Sequence, residues 1–285
     1  SLLIGAGVML APAWPSQQPR IGRAAALALA LVTGGSVFWA EAFGWDTLVI
    51  DYLLFALMSG VVLSGALSQG QARAEARGET LSDGDQGWPG PQDLAFFAMV
   101  TLLVAIPLLM LPVPLGGDGL APAYLALTAQ LGGSFNTLAP FQPDIDVLYA
   151  PGFQAMTAYL AHQLDQPIPT IQMAMGSVVT LLVIWLAYDL GGELRDKALG
   201  RAMSLALLAG LGLAGAWLQA HFSGLMGLLF ALAFLLYALR YLRHRYPMDV
   251  VAAGLMLGAV ALVNPTWLLI LLAGFVSLLI ASVWI

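Results

Sequence analysis

Three carboxylates and two imidazoles carry most of the chemistry open to this chain. Asp118 sits in a Gly-Gly-Asp-Gly-Leu run directly after an apolar stretch that closes in Pro107, Pro112 and Pro114. A carboxylate in so flexible and backbone-exposed a setting can take a proton from a hydroxyl nucleophile as a general base. The same residue types also build an ordinary turn. Asp144 and Asp146 stand two apart in FQPDIDVLYAPGF, so in an extended segment their side chains point the same way and can share a divalent cation, Mg²⁺ or Mn²⁺, through oxygen ligands. Two carboxylates alone are an incomplete set, and solvated loop acids are the simpler account of them. His162 and His221 can each bind a phosphate oxygen or a metal, or simply occupy an interface. Asp51 lies inside an apolar run, about one turn from its end, where it is either an intramembrane functional group or within reach of water.

Other chemistries lack their residues. The chain has no cysteine, which removes thiolate metal sites, disulfides and thiol catalysis. HExxH, GxSxG and the nucleotide-binding glycine loops are missing from the sequence,. A net charge of −6 with no basic stripe excludes nucleic acid as a partner,.

The elements that position these residues follow from composition. With 60% hydrophobic and 9% charged residues over 285 positions, the chain departs far from a soluble domain and reads as an all-α, polytopic transmembrane helical bundle with membrane lipids around it. A span needs about 20 apolar residues, and segments near 24–42, 47–66, 94–114, 168–190, 202–220 and 224–241 have that length. Residues 2–14 read as the end of a further span. The run 251–285 is too long for one span and is interrupted at Asn264-Pro265, where proline removes an N–H and disfavours helix at the residue before it. Two helices are expected there, meeting in the outer half of the membrane, with Asn264 lining a cavity beneath an outer cap. The unflanked ends of the sequence suggest a longer protein.

Sidedness comes from charge. The segments between spans alternate between basic groups (Arg20 and Arg23; Arg73 and Arg77; Arg195, Lys197 and Arg201; Arg240, Arg243 and Arg245) and segments without Lys or Arg. That is the positive-inside pattern, which makes the chain a multi-pass protein of the cell membrane with its basic loops cytoplasmic. Residues 1–93 supply N-terminal spans and a Gly-, Ser- and charge-rich cytoplasmic linker at 68–93. Residues 94–285 form the core, whose loop 115–166 faces outside. Within that loop Ala121–Leu131 is expected as a helix ended by Gly132-Gly133. A second should run from Pro151 to about Leu164, with Phe153, Met156, Leu160 and Leu164 along one side and Gln154, Ala158 and His162 along the other. Such a helix lies in the interface plane with its apolar side down.

The order DGLAPAYLAL (118–127), DIDVLYAPGFQAMTAYLAHQL (144–164) and a later break at Asn264-Pro265 resembles the GT-C glycosyltransferases, polytopic enzymes that use lipid-phosphate-linked sugars on the outer membrane face. The likeness spans roughly residues 94–285. It implies an inverting transfer in which Asp118 removes the acceptor proton. Tyr124, Tyr149, Gln154, His162, His221 and Asn264 would then be substrate-binding, Asp144 and Asp146 the metal ligands, and a polyprenyl-phosphate sugar the donor. Ala150 and Gln154 depart from the family's proline and histidine, and no Lys or Arg lies outside to hold the donor phosphate.

Two other classes compete. A non-catalytic subunit docking partner membrane proteins would use the closely spaced Gly210, Gly212 and Gly215 for helix contact. A transporter would use Asp51 and the break at Asn264 around a midplane cavity.

Overall fold

The computed structural model describes residues 21–52, 55, 91–111, 113–245 and 247–284. The expected partial span at 2–14, most of the span at 47–66 and nearly all of the linker fall outside the described residues, as do Arg20, Arg73 and Arg77.

The described chain is all-α apart from one small hairpin. Its elements are α1 (Ile21–Phe43), α2 (Pro91–Met110), a 3₁₀ turn (Gly117–Gly119), α3 (Leu120–Gly132), strands β1 (Thr137–Leu138) and β2 (Gln142–Asp146), α4 (Gly152–Leu164), α5 (Ile168–Leu194), α6 (Lys197–Ala209), α7 (Leu211–Leu218), α8 (Phe222–His244), α9 (Pro247–Val263) and α10 (Pro265–Trp284). Among the described residues three helices are long and apolar enough to cross a membrane: α1 from Ala25, α5 and α8. The pair α6–α7 adds a fourth if it counts as one bent span.

That pair corrects the expectation of one continuous helix over 202–220. The chain bends by 48° at the break between Ala209 and Leu211. Gly210 is extended there, with φ −70° and ψ 124°. Three glycines within six residues weaken the helix enough for the break to win over continuity. The other break falls where proline chemistry put it. Helix α9 stops at Val263, and the Asn264 side chain accepts the Thr266 N–H at 3.1 Å, capping α10,.

Helices α5 and α8 are the hub, with α6 on α5, and α9 on α8. Glycines set two of the closest approaches. A Cβ on Gly176 would lie 2.3 Å from the Phe222 ring, and one on Gly191 would lie 2.6 Å from the Gly200 backbone. Because backbone faces backbone at Gly191, no rotamer can relieve the clash. Gly191→Val should therefore lower stability by about 1–3 kcal/mol through forced separation of α5 from α6; thermal unfolding in detergent measures it. An unchanged midpoint would mean that the two helices do not depend on this contact.

One end of the bundle holds the described Lys and Arg side chains. Arg240, 1% exposed at its side chain, lies 3.5 Å from Asp249 of α9 and 3.8 Å from Glu193 of α5. Arg243 donates to the carbonyls of Glu193 and, at 2.9 Å, Leu194. Arg201 binds Asp93 of α2 at 2.7 Å, and the Tyr237 hydroxyl donates to the Arg23 carbonyl of α1 at 3.2 Å. Helices α1, α5, α8 and α9 are thus joined through charge and hydrogen bonds, and α2 is joined to α6, in surroundings where an unpaired buried ion would be costly,.

The opposite end is closed by residues 115–166, which form an ordered cap. Glu41, at the far end of α1, accepts from the Phe135 N–H at 3.1 Å and from the Asn136 amide. Helix α4 departs from the expected surface position. Its Gln154, Thr157 and Ala158 are as buried as Phe153 and Met156, because α3 covers it on one side and α1, α5 and α9 pack on others. The spacing of polar and apolar residues marked two faces, but over the first two turns both are covered by protein, and only the last turn, from His162, is exposed.

Candidate functional site

The fold brings together two residues more than a hundred positions apart. His221 Nε2 lies 2.8 Å from Asp118 Oδ2, and both side chains are about half exposed. Asp118 is carried by the 3₁₀ turn between α2 and α3, and His221 by the turn between α7 and α8. Two glycines allow these turns to meet. A Cβ on Gly116 would sit 2.3 Å from the Gln219 backbone, and one on Gly119 would be 3.1 Å from Ala220 Cβ. Ala220 adopts a left-handed φ of 63°, and the His221 N–H then closes back onto the Ala216 carbonyl at 2.8 Å. Facing a carboxylate, which only accepts, the imidazole donates from Nε2 and leaves Nδ1 as an acceptor or second donor. The second Asp118 oxygen remains for a substrate proton. Such a pair can accept a proton from a hydroxyl or offer a positive charge to an anion.

Other candidates are distributed over the cap. Tyr124 is exposed on α3 and stacks on Phe141 with centroids 6.3 Å apart. Tyr149 is exposed beyond β2, and His162 is exposed in the last turn of α4. Gln154 is buried at 1% exposure, with neither amide atom hydrogen-bonded among the described residues. Asn264 lies against the opening turns of α8, where a Cβ on Gly227 would come within 2.8 Å of its own Cβ.

Asp144 and Asp146 occupy alternate positions of β2, whose residues are all exposed. The ladder to β1 shifts register between Thr137 and Leu138, so Asp146 pairs with Thr137 while Leu138 pairs with Gln142. No group of three His, Cys, Asp or Glu that could hold a metal exists among the described residues. Two exposed carboxylates supply only part of the oxygen set that Mg²⁺ or Mn²⁺ takes, so the residues present do not fit a resident cation.

Asp51 is tied down. The Tyr159 hydroxyl donates to its Oδ1, and Gln163 donates to its Oδ2 at 2.6 Å. Burial, reinforced by the neighbouring carboxylate, pushes the Tyr159 hydroxyl above its ordinary range. A raised folded value means that the contact's contribution is complete below the unfolded value of about 10 and is lost as pH climbs beyond it. Tyr159→Phe should cost about 1–2 kcal/mol at neutral pH, and the gap to wild type should close above about pH 10. Thermal unfolding across pH tests this; a gap independent of pH would assign the loss to packing.

Sequence reasoning missed Gln172 of α5 and the backbone of Gln219. Each contacts the Asp118 turn through main-chain groups, which leaves no signal in residue type. No family model matches the chain, and neither a curated protein nor a solved structure matches it.

Proposed function

We propose that the chain is a polytopic membrane glycosyltransferase moving a sugar from a polyprenyl-phosphate donor to an acceptor hydroxyl at the outer face of the cell membrane, with its basic end in the cytoplasm. One observation carries this reading: Asp118 and His221 meet at 2.8 Å at the end of the bundle opposite the one that gathers the described Lys and Arg side chains. Asp118 takes the acceptor proton on its free oxygen as the acceptor oxygen bonds to the anomeric carbon. The bond from that carbon to the donor phosphate breaks, and the phosphate leaves with the electron pair. Charge developing on it needs a positive partner. His221 is the group beside Asp118 able to supply one, with His162 the histidine of the cap.

The test is transfer of labelled sugar from polyprenyl-phosphate donors by the whole chain in liposomes. Wild-type turnover that falls at least tenfold in His221→Phe is the expected result. No turnover with any hexose or pentose donor, in the presence of a broad acceptor set, would end the reading.

The exposed apolar residues Phe141, Ile145 and Leu148 on the cap favour a second reading, a non-catalytic subunit whose cap docks a partner membrane protein. There, substitutions at Asp118 and His221 would leave function intact, and Leu148→Asp would abolish assembly.

A further inference from the structure

Gln172 is 1% exposed on α5, between Ile171 and Met173. The groups around it assign the Gln172 amide with its oxygen toward the Ala123 N–H at 3.0 Å and its nitrogen toward the Gly119 carbonyl at 3.2 Å, the orientation in which both ends of the side chain are satisfied,. Gly119 directly follows Asp118, and Ala123 stands four residues further on, in the first turn of α3. The two groups are the acceptor and donor of one helical step, and a single buried amide from another helix grips both. On its other side the same turn rests on Gln219 and Ala220 through Gly116 and Gly119.

Magnitudes decide what these pins are for. An ion pair between half-exposed side chains contributes only about 0–1 kcal/mol, too little to hold two separate turns in register. The backbone anchors must therefore set the distance between Asp118 and His221. Those on the His221 side are contacts of shape. On the α5 side, Gln172 supplies two directional hydrogen bonds.

We propose that Gln172 is a positioning residue that fixes the Asp118 turn against His221, and so holds His221 in the tautomer with its proton on Nε2. The catalytic consequence rests on the transferase reading; the tautomer does not.

The whole chain has three histidines, so selective ¹⁵N-histidine labelling in detergent micelles resolves them. At mildly alkaline pH the wild-type His221 ring should show a protonated Nε2 and an unprotonated Nδ1. In Gln172→Met, which keeps the volume and loses both bonds, the two signals should move toward each other as the tautomers mix. Transfer should fall on the order of 10²-fold in kcat with KM nearly unchanged, the loss expected from misplacement of about 1 Å. Ser177→Ala is the control on the same helix: it removes the 3.3 Å bond from Trp217 and should leave the His221 signals in place. If Gln172→Met does not fold, Gln172→Asn replaces it. Its amide is one methylene shorter and cannot reach both main-chain groups, and a partial shift is expected. Wild-type His221 signals in the folded Gln172 variant, or an equal shift in Ser177→Ala, would overturn the proposal. Tautomer mixing in the Gln172 variant, with no transfer by any form of the protein, would leave the positioning role standing and remove the transferase reading.

Discussion

Asp118→Asn should lower sugar transfer by a factor of about 10²–10⁴ while the unfolding midpoint stays near that of wild type. The substitution keeps the size and planarity of the side chain. Its amide oxygen can still accept from His221 Nε2, so the contact between the turns persists. What disappears is the capacity to take a proton from the acceptor hydroxyl. Because the side chain is half exposed, loss of its charge leaves no buried polar group behind, and stability has little reason to change. Transfer by the purified variant in liposomes, measured beside its thermal unfolding, separates the two effects. Wild-type rates would remove Asp118 from the chemistry. Equal losses of rate and stability would make the residue structural.

Arg240→Met should have the largest effect on stability, a loss of about 3–5 kcal/mol. The guanidinium is the positive partner of Asp249, which is fully buried, and of Glu193, which is nearly so. Methionine fills much of the same space, so the loss reports charge and not cavity. The two acids do not suffer equally. Glu193 retains His244 at 3.4 Å, whereas Asp249 keeps the favourable end of the α9 dipole, worth about 0.3–1 kcal/mol. Adding Asp249→Asn to Arg240→Met should therefore recover part of the loss, because it removes one of the two buried carboxylates that faced the guanidinium,. Thermal or denaturant unfolding of both variants in detergent checks the pair. A single variant within about 1 kcal/mol of wild type would show that the cluster is not what joins α5, α8 and α9.

The helices were legible where one physical rule acted alone. Apolar length placed α5 and α8 to within a few residues, and the missing N–H of Pro265 placed the break between α9 and α10. Gly132-Gly133 stopped α3 at the expected point, since Gly133 takes a left-handed φ of 82° that few other residues tolerate,. Legibility failed where partners distant in sequence decided the outcome. The bend at Gly210 required weighing three glycines against an otherwise apolar span. Gln154 looked like a surface residue because periodicity reports that a helix has two faces, and not what covers each. The candidate site was legible as a set of residue types but not as a contact. Asp118 and His221 both stood out, yet their pairing depends on glycines 116 and 119 admitting the backbone of the 219–221 turn. The amide grip of Gln172 on main-chain groups is invisible in any pattern of side chains.

Gly152 opens α4 with no clearance: a Cβ there would meet Val263 at 2.7 Å, the Leu262 carbonyl at 2.8 Å and Thr33 at 2.9 Å. Seen as a sequence of events, that seat has a date. Thr33 is made long before α4, whereas Leu262 and Val263 leave the ribosome about a hundred residues after it, at some 5–20 residues per second. For several seconds of synthesis the cap has one wall of its seat and lacks the other. Contacts of such long sequence separation are slow to form, so α4 should settle among the last elements, after α9 has packed. A nascent chain arrested before Leu262 should leave α4 open to protease or to thiol labelling in an Ala155→Cys variant, and one arrested well beyond Pro265 should protect it.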